Sequence, residues 1–217
     1  MKRLGLLLLP ILAITLMLGG NAFAQDPVAG DGSYYFVTYY SNANTTGAPD
    51  SVLRLVNDGG NATAAPEGVE NGTLWAAIYV FDDSQELRSC CACLITSDGL
   101  LSESVNKQLT SNEFTGRGQI SRGVIKVISS SSSDPTQPCP DPGLRGWQTH
   151  IQGTSATVAT AKAPSVQKGP WFVTEPKLAD SNLSRTELYN LGTLCSYGLT
   201  LGSGYGLCPC TVEDYDF

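Results

Sequence analysis

The sequence predicts a single antiparallel β-sandwich, immunoglobulin-like in kind, with one short helix near its C-terminus. Eight or nine short segments rich in β-branched and aromatic residues alternate with clusters of Gly, Pro, Asn and Asp, which favour turns. One late segment, starting at Ser184, combines helical spacing with a helix-start signal. The seven cysteines follow an N-terminal export signal, so we expect disulfides to connect these elements.

The centre of the predicted core is the segment at 74–81, LWAAIYVF, which is almost continuously apolar. That composition is typical of a strand covered on both faces. Turn-forming residues follow at 82–84, and a second strand at about 86–95 returns along the first. The two segments therefore predict an antiparallel hairpin at the centre of the sandwich.

The other elements are shorter runs between turn signals. Residues 25–32 form a Gly, Pro and Asp arm, and 129–146 begins with five consecutive serines and contains four prolines, so it predicts a long surface loop. A glycine-rich turn at 202–206 precedes the last two cysteines, and 213–217 is an acidic tail. Including the central hairpin, strands are predicted at 33–40, 51–57, 74–81, 86–95, 100–109, 119–128, 147–152, 156–162 and 170–178.

The predicted helix begins at Ser184, because SRTE has the form of a capping box. We expect it to end at Gly198. One of its faces carries three residues at helical spacing, which we expect to pack onto the sandwich: Leu188, Leu191 and Cys195.

The first 24 residues have the layout of a cleavable secretory signal. Lys2 and Arg3 precede an apolar run at 4–18, and the small residues Ala22 and Ala24 flank Phe23 before the predicted cleavage site. The apolar run is shorter than the roughly 20 residues that a membrane-spanning helix needs. We therefore expect an exported chain that does not span the membrane and that resides in the periplasm, at the cell surface or outside the cell.

The mature domain, residues 25–217, is acidic. The sequence carries 13 basic and 20 acidic residues, and loss of Lys2 and Arg3 leaves 11 against 20, a net charge of −9. Phosphate binding depends on basic groups that displace counterions, so this balance argues against a nucleic-acid partner. No linker divides the 193 mature residues, which are enough for one sizeable core.

All seven cysteines are disulfide candidates, and their odd number leaves at least one unpaired. Three bridges among seven cysteines allow 7 × 15 = 105 arrangements, which spacing alone leaves open. We expect at least one bridge between the CCxC group and the three C-terminal cysteines, since the turn at 202–206 can deliver the last pair to the strand. Cys139 is either the partner of a remaining CCxC thiol or unpaired. The candidates are Cys90, Cys91, Cys93, Cys139, Cys195, Cys208 and Cys210.

Alternation along a strand places Cys91 and Cys93 on one face and Cys90 on the other. The four segments that carry a wider resemblance include both cysteine motifs. They are IYVFDDSQELRSCCACLITSDGLL at 78–101, LTSN at 109–112, GVIKVIS at 123–129 and LGSGYGLCPC at 201–210. Together they resemble a group of uncharacterised secreted bacterial proteins over most of the mature chain. The resemblance implies export and cysteine pairing, and it carries no established activity.

The leading functional hypothesis is a non-enzymatic exported interaction or structural module with an unknown extracellular or cell-surface partner. A secreted hydrolase would have to use His150, the only histidine, or the acidic turn at Asp82 and Asp83, yet no G-x-S-x-G motif supplies a nucleophile. A thiolate metal-binding or redox protein is a further alternative, although CCxC and CxC are tighter than the usual C-x-x-C pairs. The sequence therefore assigns no catalytic residue, cofactor or metal ligand.

We expect export to be accompanied by removal of residues 1–24. Ala22 and Ala24 are small residues in the spacing that the enzyme that cleaves secretory signals requires. The mass of the secreted protein checks this cleavage. A mature N-terminus far from Gln25, or retention of the apolar segment in a membrane fraction, would contradict it.

Overall fold

The structure, a computed structural model, is mainly β with antiparallel sheets and one α-helix near the C-terminus. It describes residues 34–61, 69–114, 120–159, 164–201 and 205–210. The predicted signal at 1–24, the arm at 25–32, the tail at 213–217 and residues 202–204 of the predicted turn lie outside the described residues.

The described part of the chain contains nine strands, a short π-helical turn at Val105–Leu109 and the α-helix. In chain order the strands and the helix are β1 Tyr35–Ser41, β2 Val52–Asn57, β3 Leu74–Asp82, β4 Leu87–Ile95, β5 Leu100–Ser104, β6 Arg122–Ser130, β7 Leu144–Gln148, β8 His150–Ala159, β9 Pro164–Thr174 and α1 Arg185–Thr200.

The strands form three antiparallel sheets. A four-stranded sheet has the order β1-β6-β3-β4, a three-stranded sheet has the order β5-β2-β7, and β8 pairs with β9. The predicted central hairpin is confirmed: β3 and β4 are antiparallel neighbours, and Ile78 lies opposite Cys91. On its other side β3 pairs with β6, where Ile78 lies opposite Val127.

Strand β3 is buried at every one of its nine positions. On one face Ile78 shares a hydrophobic core with Leu53 of the three-stranded sheet, and on the other face Tyr79 shares a second core with Leu191 of α1. The four-stranded sheet is therefore covered by the other sheet on one side and by the helix on the other. This burial explains the continuous apolar sequence of β3, since neither face meets water.

The helix crosses the four-stranded sheet from one edge to the other. Before the helix, Ser181 donates its backbone N–H to the carbonyl of Tyr35 on the edge strand β1 (2.9 Å). After the helix, Cys90 on the opposite edge strand β4 donates its N–H to the carbonyl of Gly206 (2.8 Å). The segments on either side of α1 thus satisfy backbone groups that an edge strand would leave exposed.

The predicted start of α1 is confirmed, because the hydroxyl of Ser184 accepts the backbone N–H of Glu187 (3.1 Å). In a capping box the Glu187 side chain would also reach back to the backbone N–H of Ser184. Here that carboxylate bonds to the strands instead. The Glu187 carboxylate accepts the hydroxyl of Tyr35 (3.1 Å) and pairs with Lys126, so it connects the first turn of α1 to strands β1 and β6.

The predicted face of α1 is also confirmed: Leu191 and Cys195 are buried, and Leu188 packs against the same core. The predicted end at Gly198 is wrong, because the helix continues to Thr200. A Cβ atom at Gly198 would lie 2.0 Å from the Phe114 ring. The glycine therefore permits close packing and does not end the helix.

The single strand predicted at 100–109 is wrong in its second half. Strand β5 ends at Ser104, whose hydroxyl accepts the N–H of Lys107 (2.8 Å), and one π-helical turn follows. In that turn Thr110 donates to the carbonyl of Val105 (2.9 Å), while Val105 and Leu109 are buried. Val105 and Leu109 are four positions apart, so they lie on one side of a helical turn. The apolar alternation of β5 therefore does not continue past Ser104.

The strand predicted at 147–152 is two strands in different sheets. Strand β7 ends at Gln148 and pairs with β2, whereas β8 begins at His150 and pairs with β9. Thr149 lies between them and donates its N–H to Val52 (2.9 Å).

The strands predicted at 156–162 and 170–178 are replaced by the longer strands β8 and β9, with a register irregularity between Gly153 and Ser155. The predicted loop at 129–146 begins two residues later and ends three residues earlier than expected, because β7 starts at Leu144. Ser129 and Ser130 are buried and complete β6 opposite β3. Among the described residues, no helix has the length and apolar character needed to cross a membrane.

Replacement of Ser184 by alanine should lower the free energy of unfolding by about 1 kcal/mol, because the N–H of Glu187 loses its acceptor. Leu191→Ala should cost about 2–5 kcal/mol through the cavity left under the helix. Denaturant midpoints measure both effects. Unchanged midpoints for both variants would contradict the docking of α1.

Candidate functional site

Strand β4 distributes its three cysteines between the two faces of the four-stranded sheet. Cys90 belongs to the core beneath α1, whereas Cys91 and Cys93 belong to the core shared with the three-stranded sheet. The faces are those that strand alternation predicts. The bridge from Cys90 reaches Cys195 on α1, with a Cα–Cα distance of 5.9 Å. One disulfide therefore fastens the helix to the sheet.

On the opposite face, two further bridges join β4 to the C-terminal CxC pair. They are Cys91–Cys208 and Cys93–Cys210, with Cα–Cα distances of 5.4 and 5.3 Å. The expected connection between the CCxC strand and the C-terminal cysteines is present in all three disulfides. The four cysteines of these two bridges, here called the paired-bridge cluster, are the first candidate site.

The two bridges of the paired-bridge cluster lie side by side. The sulfur atoms of Cys91 and Cys93 are 3.8 Å apart, and the sulfurs of Cys91, Cys93 and Cys210 all lie within 4.8 Å of one another. Cys210 is partly buried, and the other three cysteines are buried. A reagent from solvent therefore meets the cluster first at Cys210.

Backbone hydrogen bonds also hold the C-terminal segment 205–210 against β4. Gly206 accepts the N–H of Cys90 and donates its own N–H to the carbonyl of Asn112 (2.7 Å). The side-chain amide of Asn112 donates to the carbonyl of Leu207 (3.0 Å). Gly206 has a φ of +87°, as expected of a glycine in the predicted turn, and the ring of Phe114 leaves no room for a Cβ there.

Cys139 is exposed and forms no disulfide, which decides between its two predicted roles. Its N–H donates to the hydroxyl of Ser130 (3.0 Å), and its carbonyl accepts the N–H of Ser131 (3.0 Å). These bonds hold it in the loop that follows β6.

A second candidate site is a cleft of about 640 Å³ between the outer side of α1 and the loop at 134–138, here called the α1 cleft. Most of its lining is uncharged, with hydroxyl, amide and tyrosine side chains and a single basic group. The lining residues are Thr136, Gln137, Pro138, Arg185, Leu188, Tyr189, Gly192, Thr193, Ser196, Tyr197 and Thr200.

The loop wall of the α1 cleft is held by short hydrogen bonds. The Asp134 carboxylate accepts both the N–H (2.8 Å) and the hydroxyl (2.7 Å) of Thr136. From the sheet beneath, the hydroxyl of Tyr79 donates to the carbonyl of Pro135 (2.7 Å). Burial, with a smaller contribution from Asp134, raises the pKa of Tyr79 above its ordinary value, which is itself well above neutral, so the hydroxyl remains a donor.

Gly192 brings the helix wall of the α1 cleft against the loop. A Cβ at this position would lie 2.3 Å from the carbonyl oxygen of Thr136, closer than any real Cβ contact. The side of the helix that lines the cleft carries residues spaced by multiples of four: Arg185, Tyr189 and Tyr197. Tyr189 is 72% exposed and Tyr197 is 70% exposed.

The α1 cleft was not predicted from the sequence. The spacing of the two tyrosines is a signal that could have located the helix wall, because they lie opposite the buried face of Leu191. The loop wall depends on Tyr79 and Gly192, which are far from it in the sequence.

His150 is held by two neighbours on β1. Its Nε2 lies 3.1 Å from the hydroxyl of Thr38, and its ring lies 4.0 Å from the ring of Tyr39. Burial lowers the pKa of His150 below its ordinary value. Its described contacts include no serine, cysteine or carboxylate, so they do not assemble a nucleophile, base and orienting acid.

The acidic turn at Asp82 and Asp83 is divided between two structural roles. Asp82 is buried, accepts the N–H groups of Ser84 (2.9 Å) and Glu86 (3.0 Å), and pairs with the buried Arg88 (3.2 Å). Asp83 points to solvent and pairs with Arg122 (2.7 Å). The carboxylate of Asp82 therefore organises the β3–β4 connection and is not a solvent-exposed group of the turn.

Comparison of the chain with protein-family models, curated proteins and solved structures finds no match. The functional inferences below therefore rest on the geometry and chemistry of the two candidate sites.

Peptide mapping without reduction should recover three linked pairs and one free thiol, at Cys139. The variant Cys139→Ser should leave the three pairs unchanged, because this residue forms no bridge. Recovery of free Cys90, Cys91 and Cys93, or of a bridge to Cys139, would contradict this connectivity.

Proposed function

We propose that this protein is a non-enzymatic, exported interaction module that binds its partner in the α1 cleft. The observation that carries the proposal is a pair of exposed tyrosines on a helix that a buried disulfide fastens to the core. A binding surface benefits from such rigidity, because less conformational freedom is lost when the partner binds.

Export is part of the proposal and has two sources of support. The sequence begins with the layout of a secretory signal, and the described residues contain three disulfides, which persist in oxidising compartments. The acidic balance suits a partner other than nucleic acid.

We further propose that the two larger sheets form an immunoglobulin-like sandwich. Side chains of both sheets share one hydrophobic core, which supports a face-to-face arrangement of the kind found in sandwiches. Helix α1 covers the outer face of the four-stranded sheet, and that cover places the cleft on the outside of the domain.

The lining of the α1 cleft favours a neutral oligosaccharide as the ligand. Tyrosine rings offer flat apolar faces to the C–H groups of sugar rings, and their hydroxyls remain available for hydrogen bonds. Thr193, Ser196 and Gln137 supply further donors and acceptors at the same place. Tyr189 and Tyr197 are eight residues apart, or about 12 Å along the helix, a span that suits several sugar units.

A panel of immobilised neutral and acidic oligosaccharides, followed by calorimetry on any that bind, tests the proposal. The double variant Tyr189→Ala/Tyr197→Ala should weaken binding by at least about tenfold, a loss of about 1.4 kcal/mol, because the stacking surfaces are removed. Its matched control is Phe172→Ala, which removes an aromatic ring that is 58% exposed on β9 and does not line the cleft.

Binding that is lost in the tyrosine variant and retained in the control supports the proposal. Failure of the wild-type protein to bind any member of the panel, or an equal loss in Phe172→Ala, contradicts it. Cleavage of a bound oligosaccharide by the wild-type protein would contradict the non-enzymatic assignment and would favour the alternative of a secreted hydrolase.

A further inference from the structure

We propose that the paired-bridge cluster is the oxidised form of a metal site, in which the four thiolates of Cys91, Cys93, Cys208 and Cys210 bind one Zn²⁺ ion after reduction. This inference is independent of the α1 cleft. The cluster belongs to the core shared by the two larger sheets, whereas α1 covers the opposite face of the four-stranded sheet.

The spacing of three of the four sulfur atoms fits a tetrahedral ion. With zinc–sulfur distances of about 2.3 Å, any two ligand sulfurs in a regular tetrahedron are about 3.8 Å apart. The unbonded sulfurs of Cys91 and Cys93 are already 3.8 Å apart, and the three sulfurs of Cys91, Cys93 and Cys210 lie within 4.8 Å of one another. Cys208 lies outside this group of three, so opening of the Cys91–Cys208 bridge must bring its sulfur toward the other three before it can act as the fourth ligand.

Contacts other than the two bridges keep the cysteine pairs together. Cys91 and Cys93 are fixed by the pairing of β4 with β3, and the C-terminal segment is held by the hydrogen bonds of Gly206 with Cys90 and Asn112. The third disulfide, Cys90–Cys195, joins the same region to α1 from the other face. Reduction of the cluster therefore leaves two pairs of thiols on neighbouring backbone segments.

Differences in burial favour selective reduction. Cys90 and Cys195 are completely buried, whereas Cys210 is partly exposed, so a dithiol reductant attacks the Cys93–Cys210 bridge first. The Cys91–Cys208 bridge is the next most accessible, because Cys208 keeps 4% of its surface exposed whereas Cys90 and Cys195 keep none. Cys91 and Cys93 point into an apolar core, which keeps water from competing as a ligand.

The chemistry balances with a dithiol as the reductant. Each bridge takes up two electrons and two protons, and each dithiol leaves as a cyclic disulfide. The four resulting thiols lose four protons as they bind Zn²⁺, and the ion itself is neither oxidised nor reduced. In the reverse direction, two equivalents of the cyclic disulfide accept two electrons and two protons each, which re-forms the two protein disulfides, regenerates the dithiol and releases Zn²⁺.

Cobalt(II) is the probe, because a tetrahedral site of four thiolates gives it intense visible bands and a sulfur-to-metal charge-transfer band. The full mature chain carrying Cys139→Ser, which removes the unpaired thiol, is reduced with a phosphine under anaerobic conditions and titrated with Co²⁺. We expect saturation at one ion per chain, displacement of Co²⁺ by Zn²⁺, and a far-ultraviolet circular dichroism spectrum like that of the oxidised protein.

Two variants distinguish the cluster from other thiols. Cys93→Ser/Cys210→Ser removes half of the ligands and should abolish the spectrum of the four-thiolate site. Cys90→Ser/Cys195→Ser removes the bridge on the opposite face and should retain that spectrum, because it leaves all four proposed ligands in place.

Three outcomes would overturn the proposal. The first is a reduced, folded chain that does not bind Co²⁺ or Zn²⁺. The second is cobalt binding that is the same in Cys93→Ser/Cys210→Ser as in the reference chain. The third is a reduced chain that unfolds and does not recover the native circular dichroism spectrum when Zn²⁺ is added.

Discussion

The alternation of side chains along β4 is the constraint on which the rest of the structure depends. Because consecutive residues of a strand point to opposite faces, Cys90 and Cys91 are neighbours in sequence and still belong to two different cores. A shift of β4 by one residue against β3 would exchange those faces and would separate every cysteine from its partner. The register of one antiparallel pair therefore positions both the helix and the C-terminal segment.

Burial of β3 on both faces follows from this arrangement. The bridge from Cys90 holds α1 over one face, and the bridges from Cys91 and Cys93 hold the C-terminal segment on the side of the three-stranded sheet. The segment that contains α1 passes from the edge strand β1 to the edge strand β4. It forms hydrogen bonds with the backbone of both strands. Protection of the edges reduces the tendency of a β protein to pair with other chains.

The two candidate sites use this framework in different ways. The α1 cleft needs a helix in a fixed position, because its opposite wall is a loop that Tyr79 holds from the sheet beneath and that Asp134 stabilises from within. The paired-bridge cluster needs two backbone segments that stay adjacent with or without their disulfides. His150 does not form a third candidate site. Its described side-chain contacts are the hydroxyl of a threonine and the ring of a tyrosine, neither of which completes a catalytic set.

The sequence by itself determined the central hairpin, the faces of the CCxC cysteines, the start of α1 and the buried side of that helix, because each depends on local periodicity or on a local hydrogen bond such as that of Ser184. Only the tertiary structure decided which cysteines pair, that 147–152 divides between two sheets, and that Ser129 and Ser130 complete a buried strand. Those features depend on contacts between residues far apart in the chain. The α1 cleft is of the same kind, because the approach of Thr136 to Gly192 is set by how the helix docks and leaves no mark in either local segment.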